Sequence, residues 1–345
     1  MGLDLLYSGV FRKHAPPFPH PESEERLTIA LEALKPLGEL ITLREPAPAS
    51  TEDLLRVHDP QYLERVERVA RDGLLLLDGD TYVLPESLDA VRAAAGASIE
   101  AANSAASSKP AFALVRPPGH HAGRSGRAMG ARTQGFCIVN NVAVAAAWLL
   151  ERGVKKVAIV DFDAHHGNGT QEIFYRDPRV LHIDLHEDPS TLYPGTGFLN
   201  QLGEGEARGT KVNVVLPPGS ADDVYGLALE EVVLPILEEF KPELLLFSAG
   251  FDAFEGDGLT HLRAGEWAFA RMGELPSELG LRGKCAAVLE GGYSVGLSRG
   301  LPAFIAALLD LRPEAEQVAS REPVFRVARE YVRDLKGLLR QFWSL

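Results

Sequence analysis

Five short, mainly apolar segments of this chain are each followed directly by chemically reactive side chains. Each segment is four residues long, and they occupy residues 112–115, 157–160, 180–183, 244–247 and 286–289. Apolar segments of this length that alternate with helical stretches are typical of strands in a mostly parallel sheet with helices on both faces. The sequence therefore predicts an α/β fold built on an open, mostly parallel sheet flanked by helices.

The side chains that follow these segments indicate where a functional site lies. Histidines, aspartates and a tyrosine come directly after them, at 120–121, 161–166, 184–186, 252 and 293. In open α/β sheets, ligands bind outside the carboxyl ends of the strands. Because the five segments would end at one edge of the sheet, we expect their polar side chains to share a pocket. Histidine and carboxylate groups gathered in this way point to metal-assisted hydrolysis.

Three longer stretches favour helices. They cover residues 87–106, 140–151 and 222–240. The first is rich in alanine, and the second is followed by Gly153, a residue type common just beyond helix ends. Ser220 or Asp222 can cap the start of the third, and Pro235 is expected to kink it.

The chain is interpreted as one catalytic domain over residues 1–345, since no low-complexity linker divides it. Three segments are predicted to be long loops, at 16–22, 122–133 and 187–209. Loops of this length in a compact domain are usually functional or disordered. Because these three adjoin the polar clusters or the amino-terminal entry, we expect them to shape the pocket.

The charge balance excludes some classes of partner. The net charge is −13, which argues against a general affinity for nucleic acid or for anionic membranes. The negative charge favours cationic ligands only weakly, because a charge of this size can serve simply to keep the protein soluble. Oligomeric state is left open, with a homo-oligomer among the alternatives.

The cysteines and the amino terminus indicate an intracellular setting. Cys137 and Cys285 are the only cysteines, too few for a disulfide framework, and no CxxC pair indicates structural zinc. Both are expected to be buried and reduced. Residues 1–13 lack a basic stretch followed by an apolar one, and no apolar stretch reaches the ~18 residues that span a membrane. A cytoplasmic location is predicted.

A metal site is predicted from three side chains. Asp163 and His165 lie two residues apart just past a strand, so in extended backbone they point to the same side. Asp252 follows another strand and supplies a second carboxylate. One imidazole and two carboxylates with an open position suit a catalytic divalent metal. Zinc fits, and so does ferrous iron, because ligand type alone rarely decides between first-row metals.

Acid–base groups are predicted beside that metal. His120 and His121 are adjacent, and histidine titrates nearest neutral pH. Asp161 and Asn168 flank the metal ligands and could each hold the far nitrogen of one ring. A carboxylate partner raises the basicity of its histidine more than an amide does, so the two rings should differ in pKa. Tyr293, after two glycines, could donate a hydrogen bond to an oxyanion.

These residues together resemble the histone deacetylase family of the arginase–deacetylase fold, over roughly residues 7–302. The resemblance is carried by the sequences RPPGHHA at 116–122, GFCIVNN at 135–141, DFDAHHGNGTQ at 161–171, YPGTG at 193–197, SAGFDA at 248–253 and EGGY at 290–293. Asn168, in place of aspartate, is similar to the class II and bacterial deacetylase-like branch.

The resemblance implies a zinc-dependent deacylase. It implies zinc held by Asp163, His165 and Asp252, and a water that attacks the acyl carbonyl of an acylated amine. His121 would be the main general base and acid, oriented by Asn168. His120, oriented by Asp161, would be its electrostatic partner. Tyr293 would stabilise the oxyanion together with zinc.

The resemblance also implies how the substrate is held. Phe136, next to Gly135, and Tyr193 match the aromatic pair that encloses the alkyl chain of an acyl-lysine. Arg26 matches an arginine behind the metal. Asp80 is a looser match to a rim carboxylate that holds the substrate backbone.

Departures from the family pattern bear on specificity. The stretch before Gly135 is longer than in many relatives. Asp184 stands where the family often has serine, beside a structural potassium site. Leu259 occupies the position where polyamine-selective relatives can carry glutamate, which favours an acyl-lysine or another neutral amide over acetylpolyamines.

Four alternatives to the acyl-lysine deacylase remain. The same chemistry could act on acetylpolyamines or another small acetylamine. An arginase-like ureohydrolase would need bridging carboxylates for a second metal, which residues 166–168 do not supply. A non-catalytic module for acylated ligands would be indicated by loss of Tyr293, a histidine or a metal ligand, and all are present. The last alternative is an α/β domain in which these polar residues have no common function.

Overall fold

A computed structural model of the chain describes residues 2–311 and 314–345. Eight strands form one sheet in which every neighbouring pair is parallel, and two further strands, β4 and β5, form a small antiparallel hairpin. The strands are β1 (Leu3–Leu6), β2 (Ile41–Arg44), β3 (Ala111–Ala113), β4 (Ala122–Gly123), β5 (Gly126–Arg127), β6 (Val157–Asp161), β7 (Val180–Glu187), β8 (Lys211–Leu216), β9 (Leu244–Ala249) and β10 (Cys285–Leu289).

Helices cover both faces of this sheet. They are α1 (Glu25–Leu34), α2 (Thr51–Leu55), α3 (Pro60–Arg71), α4 (Ser87–Ala106), α5 (Asn141–Glu151), α6 (Asn168–Ile173), α7 (Asp222–Ala228), α8 (Leu234–Phe240), α9 (Glu266–Glu278), α10 (Leu301–Leu308) and α11 (Glu322–Leu339). Short 3₁₀ segments lie at Gly9–Lys13, Lys35–Leu40 and Gly205–Ala207, and π-helical turns lie at Leu229–Val233 and Gly296–Gly300. The predicted α/β class, with a parallel sheet between helices, is confirmed.

The order of the strands explains how distant sequence motifs meet. Across the sheet it is β2-β1-β3-β10-β9-β6-β7-β8. The four adjacent central strands β3, β10, β9 and β6 are buried along their whole length, which is why they read as continuous apolar segments. Because these strands are parallel, the polar residues that follow them are delivered to one edge of the sheet.

All five predicted strands are present, with altered ends. β3 stops at Ala113, two residues before the predicted end, next to the end of its neighbour β1 at Leu6. β6, β7 and β9 extend beyond the predicted segments. β1, β2 and β8 were not predicted, and neither were β4 and β5, which lie inside the segment 122–133 that was predicted to be a loop.

The predicted third helix is divided. A π-helical turn at Leu229–Val233 separates α7 from α8 directly before Pro235, a residue that lacks an N–H and so cannot continue an ordinary helical ladder. The predicted cap is wrong. The N-cap residue is Ala221, the Asp222 carboxylate instead accepts hydrogen bonds from the backbone of Gly265 and Val318, and the Ser220 hydroxyl donates to the Pro217 carbonyl. Those partners are distant in sequence, so no local pattern reveals them.

The remaining helix and cysteine predictions agree with the structure. The Asn140 side chain caps α5 by accepting from Ala143 N at 3.0 Å, and Gly153 adopts a φ of 94° beyond its end. Cys137 and Cys285 are buried and not joined by a disulfide. Among the described residues, no helix has both the length and the apolar character needed to cross a bilayer.

Candidate active site

Alternation at the end of β6 directs two aspartates toward the edge of the sheet where the site lies. Successive side chains of extended backbone point to opposite sides. The Phe162 ring packs into the core against Phe251 and Phe304, with ring centroids 5.7 and 5.2 Å away. Asp161 and Asp163, on either side of it, are thereby turned away from this aromatic core and toward the edge of the sheet.

The three predicted metal ligands lie within reach of one ion. The ligand atoms of Asp163, His165 and Asp252 are all within 4.8 Å of one another. His165 Nδ1 is 3.1 Å from Asp163 Oδ1 and 2.8 Å from Asp252 Oδ2.

Their remaining atoms fit a metal. The other carboxylate oxygens are held by backbone amides, Asp163 Oδ2 by Gly291 N at 2.7 Å and Asp252 Oδ1 by Ala164 N at 2.9 Å. Asp252 Oδ2 is buried, and apart from its contact with His165 Nδ1 it has no hydrogen-bond partner within residues 2–311 and 314–345. Burial and the nearby Asp163 charge raise the pKa of Asp252 to about 6. A buried oxygen left without a donor, beside a second carboxylate, is what a divalent cation would satisfy.

The tandem histidines are oriented by the predicted partners. His120 Nδ1 lies 3.0 Å from Asp161 Oδ2, and His121 Nδ1 lies 2.8 Å from Asn168 Oδ1. Burial lowers the pKa of His120, but the charges of Asp161 and Asp163 outweigh it and hold that pKa well above its usual value. Burial and the charge of His120 hold the pKa of His121 well below its usual value. The two rings are therefore perturbed in opposite directions.

A buried glutamate supports the backbone of these histidines. Glu290 Oε2 accepts from Gly119 N at 2.7 Å and from His120 N at 3.1 Å. Burial raises the pKa of Glu290 to about 7, although the His120 charge opposes that shift. Glu290 belongs to the EGGY sequence, but its role here was not predicted.

Tyr293 is held through its backbone by a second unpredicted carboxylate. Asp257 Oδ2 accepts from Tyr293 N at 2.7 Å, while Asp257 Oδ1 accepts from Ser294 N at 2.8 Å and from Gly296 N at 2.9 Å. Gly291 approaches the metal ligands so closely that a Cβ there would lie 2.6 Å from Asp163 Oδ2. Position 291 therefore has no room for a side chain and requires glycine.

Arg26 lies behind the tyrosine in a buried ion network. Its guanidinium carbon is 5.0 Å from the centre of the Tyr293 ring, and its Nε donates to Gly292 O at 2.6 Å. Glu22 joins Arg26 to Arg116: Arg26 Nη1 lies 3.0 Å from Glu22 Oε1, and Arg116 Nη2 lies 2.8 Å from Glu22 Oε2. Burial raises the pKa of Glu22, but the Arg116 charge overcomes it and leaves that pKa well below its usual value. This network braces the strand end that carries Tyr293.

The pocket above the metal ligands has a volume of about 310 Å³. Ten predicted residues line it: Asp80, His120, His121, Gly135, Phe136, Asp163, His165, Tyr193, Leu259 and Tyr293. Pro118, Cys137, Leu192 and Gly291 also line it and were not predicted to. Asp161, Asn168 and Asp252 lie behind these residues, in contact with His120, His121 and His165.

The walls of the pocket are aromatic and close together. A Cβ at Gly135, where φ is 51°, would lie 2.5 Å from His121 Cδ2 and 2.8 Å from Tyr193 Cε1. Only glycine therefore fits between these two rings. Phe136 follows with a φ of 69°, a left-handed conformation that is costly for a bulky residue and is usually kept only where the surroundings enforce it.

The predicted rim carboxylate ties the loops together. Asp80 Oδ2 accepts from the Thr133 hydroxyl at 2.5 Å, and the Tyr193 hydroxyl donates to Thr133 O at 2.8 Å. The predicted loop at 187–209 thus reaches the pocket through Leu192 and Tyr193. The segment at 122–133 contributes no lining residue; it contains the β4–β5 hairpin and contacts the rim only through Thr133. Leu259 is 38% exposed at the rim.

A second buried polar group lies behind His120. Asp161, His182 and Asp184 bring ligand atoms within 4.8 Å of one another. Asp184 Oδ1 is 2.6 Å from His186 Nδ1, whereas neither ring nitrogen of His182 has a hydrogen-bond partner among the residues that the structure describes. This is the region where the resemblance implied potassium.

Comparison with known proteins identifies the family. Residues 20–308 match the family described as the histone deacetylase domain. This chain belongs to the histone deacetylase family.

Relatives within the histone deacetylase family cover most of the chain. A probable deacetylase of Archaeoglobus fulgidus is 41% identical over 300 residues, which are 84% of this chain and 81% of that protein. The histone deacetylase-like amidohydrolase of Pseudomonas aeruginosa is 39% identical over 280 residues, covering 79% and 72%. The crystal structure of the HDA15 HD domain superposes with a TM-score of 0.86 at 33% identity, covering 99% of this chain and 96% of that one. The predicted family and fold are therefore confirmed.

Proposed function

We propose that this protein is a zinc-dependent amidohydrolase that removes the acyl group from acylated amines, with acyl-lysine side chains as the preferred class. One observation supports the proposal: the three candidate metal ligands, the two oriented histidines and the tyrosine lie together in and directly behind a single pocket. Family membership supports the same chemistry.

Asp163, His165 and Asp252 would hold the metal. Zinc bound there would polarise the acyl carbonyl and acidify a water. Ferrous iron is the second candidate, since the donor set suits both ions. The amide hydrogen bonds from Gly291 and Ala164 keep the two carboxylates in place for either metal.

The two histidines would divide the proton-transfer work. His121 would take the proton of the attacking water and later deliver it to the leaving amine, because its lowered pKa keeps it neutral near pH 7. Asn168 accepts from Nδ1 and so fixes the tautomer that leaves Nε2 free to act as the base. His120, which retains its proton beside Asp161, would stabilise the negative charge that develops on the substrate.

Tyr293 would donate its phenol hydrogen bond to the oxygen of the attacked carbonyl. Its pKa is raised well above the ordinary value by burial and by the charge of Asp252, so the phenol keeps its proton at neutral pH. Arg26 and Asp257 would act on it indirectly, by fixing the ring and the backbone.

The shape of the pocket favours a lysine side chain. Gly135, Phe136 and Tyr193 form apolar walls, which suit the methylene stem of an acylated lysine. Leu259 at the rim offers no charge to a polyamine. The second candidate is an acetylpolyamine or another small acetylamine, which the net charge of −13 favours through attraction of cationic substrates.

Substrate class is tested by turnover of the zinc-loaded protein on two sets of compounds. One set contains acetyl-, longer acyl- and trifluoroacetyl-lysine peptides, and the other contains N-acetylated polyamines. Metal-dependent release of lysine supports the deacylase proposal, and preference for the polyamines would favour the second candidate. Hydrolysis of neither set, with metal bound, would contradict both.

The catalytic assignments are tested by variants. We expect His121→Ala and Asp252→Ala to lose nearly all turnover, and Tyr293→Phe to lose roughly 10²–10³-fold in kcat, the usual effect of removing one oxyanion donor. Thermal unfolding of Tyr293→Phe should remain close to that of the parent protein. Unchanged turnover in any of the three would contradict the mechanism.

The remaining features of the proposal concern the whole chain. Residues 1–345 are proposed to act as one catalytic domain in the cytoplasm, without nucleic-acid or membrane partners. A structural potassium ion is proposed beside Asp184, held partly by the carboxylates that lie next to His182. Metal analysis of the purified protein, with and without Asp184→Ser, tests that ion.

A further inference from the structure

Five basic side chains lie along one side of α11, beyond the residues that match the family domain. They are Arg326, Arg329, Arg333, Lys336 and Arg340. Their spacing alternates between three and four residues, which places all five on one face of a helix. From first to last they span about 21 Å along the helix axis. We call this set the cationic ridge.

The helix presents the ridge from a firmly packed position. Ala328, Val332, Leu335 and Leu339 are buried on the adjacent face of the helix. The Tyr331 hydroxyl donates to Asp188 Oδ2 at 2.8 Å, which ties the helix to the segment after β7. The ridge is therefore a fixed feature of the surface, so a ligand would not have to order it.

Much of the positive charge on the ridge is not neutralised. Arg326 and Arg329 are exposed and form no ion pair within residues 2–311 and 314–345. Arg333 is paired only with its neighbour Asp334, at 3.2 Å, and Lys336 pairs with Glu231. On a chain with a net charge of −13, this ridge is a local reversal of sign.

A groove of about 540 Å³ runs beside the ridge. Its apolar lining residues are Leu227 and Phe325, which are half-buried, and Val332, which is buried. Glu231, Glu322 and Glu330 also line it. The groove shares no lining residue with the catalytic pocket.

We propose that the cationic ridge and its groove are the docking site for an acidic, amphipathic segment of a partner protein. Spaced carboxylates on that segment would pair with the guanidinium groups in fork geometry, while its apolar side chains would cover Leu227 and Phe325. A phosphate backbone carries negative charge along its whole length, so the three glutamates in the groove would repel it. A peptide with spaced carboxylates can bind so that its negative charges do not face these glutamates. Charge complementarity and the apolar floor together favour a polypeptide partner.

The test is a binding measurement on the full-length, metal-loaded protein. The probe is a fluorescein-labelled helical peptide of about 15 residues, long enough to span the ridge, with leucine on one face and glutamate elsewhere. A peptide with lysine in place of glutamate and a labelled poly(dT) are the comparison probes. Fluorescence anisotropy gives each Kd at low and raised salt.

The test variant is R326E/R329E/R333E, and the matched control is R68E/K155E/K284E. The control reverses the same number of charges at exposed cations elsewhere that pair with no carboxylate in the described part of the chain. We expect the acidic peptide to bind the parent and the control, and to bind the ridge variant at least roughly tenfold more weakly. Deacylase turnover should be the same in all three proteins, because the ridge lies outside the catalytic pocket. If the unfolding temperature of R326E/R329E/R333E falls, it is replaced in the test by R326Q/R329Q, which only removes positive charge.

Several results would overturn the proposal. They are equal binding of the acidic peptide to the parent and the ridge variant, no binding at all, or tighter binding of poly(dT) than of the peptide. A dimer of the parent protein, detected by light scattering and lost in the ridge variant, would assign the surface to a second copy of this chain instead.

Discussion

Replacing Asp257 by asparagine should slow catalysis through Tyr293 without removing any group that touches substrate. Asp257 Oδ2 accepts only the Tyr293 backbone N–H, at 2.7 Å, whereas Oδ1 holds Ser294 and Gly296. In Asp257→Asn, the amide oxygen can keep the Oδ1 contacts. The amide NH₂ then faces the N–H of Tyr293, and that one hydrogen bond is lost.

The size of the effect follows from the bond that is lost. A hydrogen bond to a charged group contributes about 1.5–3 kcal/mol. Each 1.36 kcal/mol is a factor of ten, so this free energy corresponds to a roughly 10- to 160-fold change in the population of the held conformation. We therefore expect kcat to fall by up to that factor, and by less than the loss measured for Tyr293→Phe, for which roughly 10²–10³-fold is expected. KM should change little.

A double-mutant cycle provides the decisive assay. If Asp257 acts only by positioning Tyr293, then Asp257→Asn should have little further effect once the phenol has been removed. The kcat of Asp257→Asn/Tyr293→Phe should then equal that of Tyr293→Phe to within about twofold. Asp53→Asn is the control, because Asp53 caps α2 at Ser50 N, 2.8 Å away, and lines no part of the catalytic pocket. It should lose stability but keep its kcat.

Two results would refute this reasoning. One is a kcat for Asp257→Asn equal to that of the parent protein. The other is a double variant in which the two losses multiply, which would mean that Asp257 influences turnover independently of the tyrosine.

Three further predictions test other parts of the structure. Gly135→Ala should lower kcat/KM at least tenfold, because its Cβ would lie 2.5 Å from His121 Cδ2; parent-like kinetics would show that the walls can move apart. Leu259→Glu should raise the kcat/KM ratio of acetylpolyamine to acetyl-lysine peptide about two- to fivefold, the effect of one exposed ion pair; no change would show that this rim position does not contact the amine. Burial lowers the pKa of His58 from 6.5 to about 4, so the unfolded chain binds the proton first as the pH falls through this range. The contribution of His58 should then lower the free energy of unfolding by up to about 1.4 kcal/mol for each pH unit of acidification. In urea denaturation, the free energy of unfolding of His58→Gln should depend less steeply on pH than that of the parent protein.

The sequence predicted that the candidate site residues lie close together because they follow strands. The segments before His120, Asp163, Asp252 and Tyr293 are short and apolar, and parallel strands deliver whatever follows them to one edge. Recognising those segments as strands was therefore enough to predict that residues more than a hundred positions apart lie close together.

Two of the supporting carboxylates could not be found in that way. Glu22 and Asp257 act through hydrogen bonds to residues that the fold brings close, and their own sequence surroundings show no regular pattern. Glu290 does follow a predicted strand, but nothing in the sequence shows that its carboxylate accepts from the backbone of Gly119 and His120. The local signal for Glu22 was its spacing of four residues from Arg26, which is common on helix surfaces. Strand β8 was missed because its segment begins with Lys211 and contains Asn213, although the fold buries both.

The central claim is that one metal ion, held by Asp163, His165 and Asp252, is required for deacylation. It is tested most directly by stripping the protein of metal and titrating zinc back while hydrolysis of an acetyl-lysine peptide is followed. We predict no turnover without metal, full turnover at one equivalent, and no recovery in Asp252→Ala. Full turnover by the metal-free protein, or recovery in Asp252→Ala equal to that of the parent, would contradict the account.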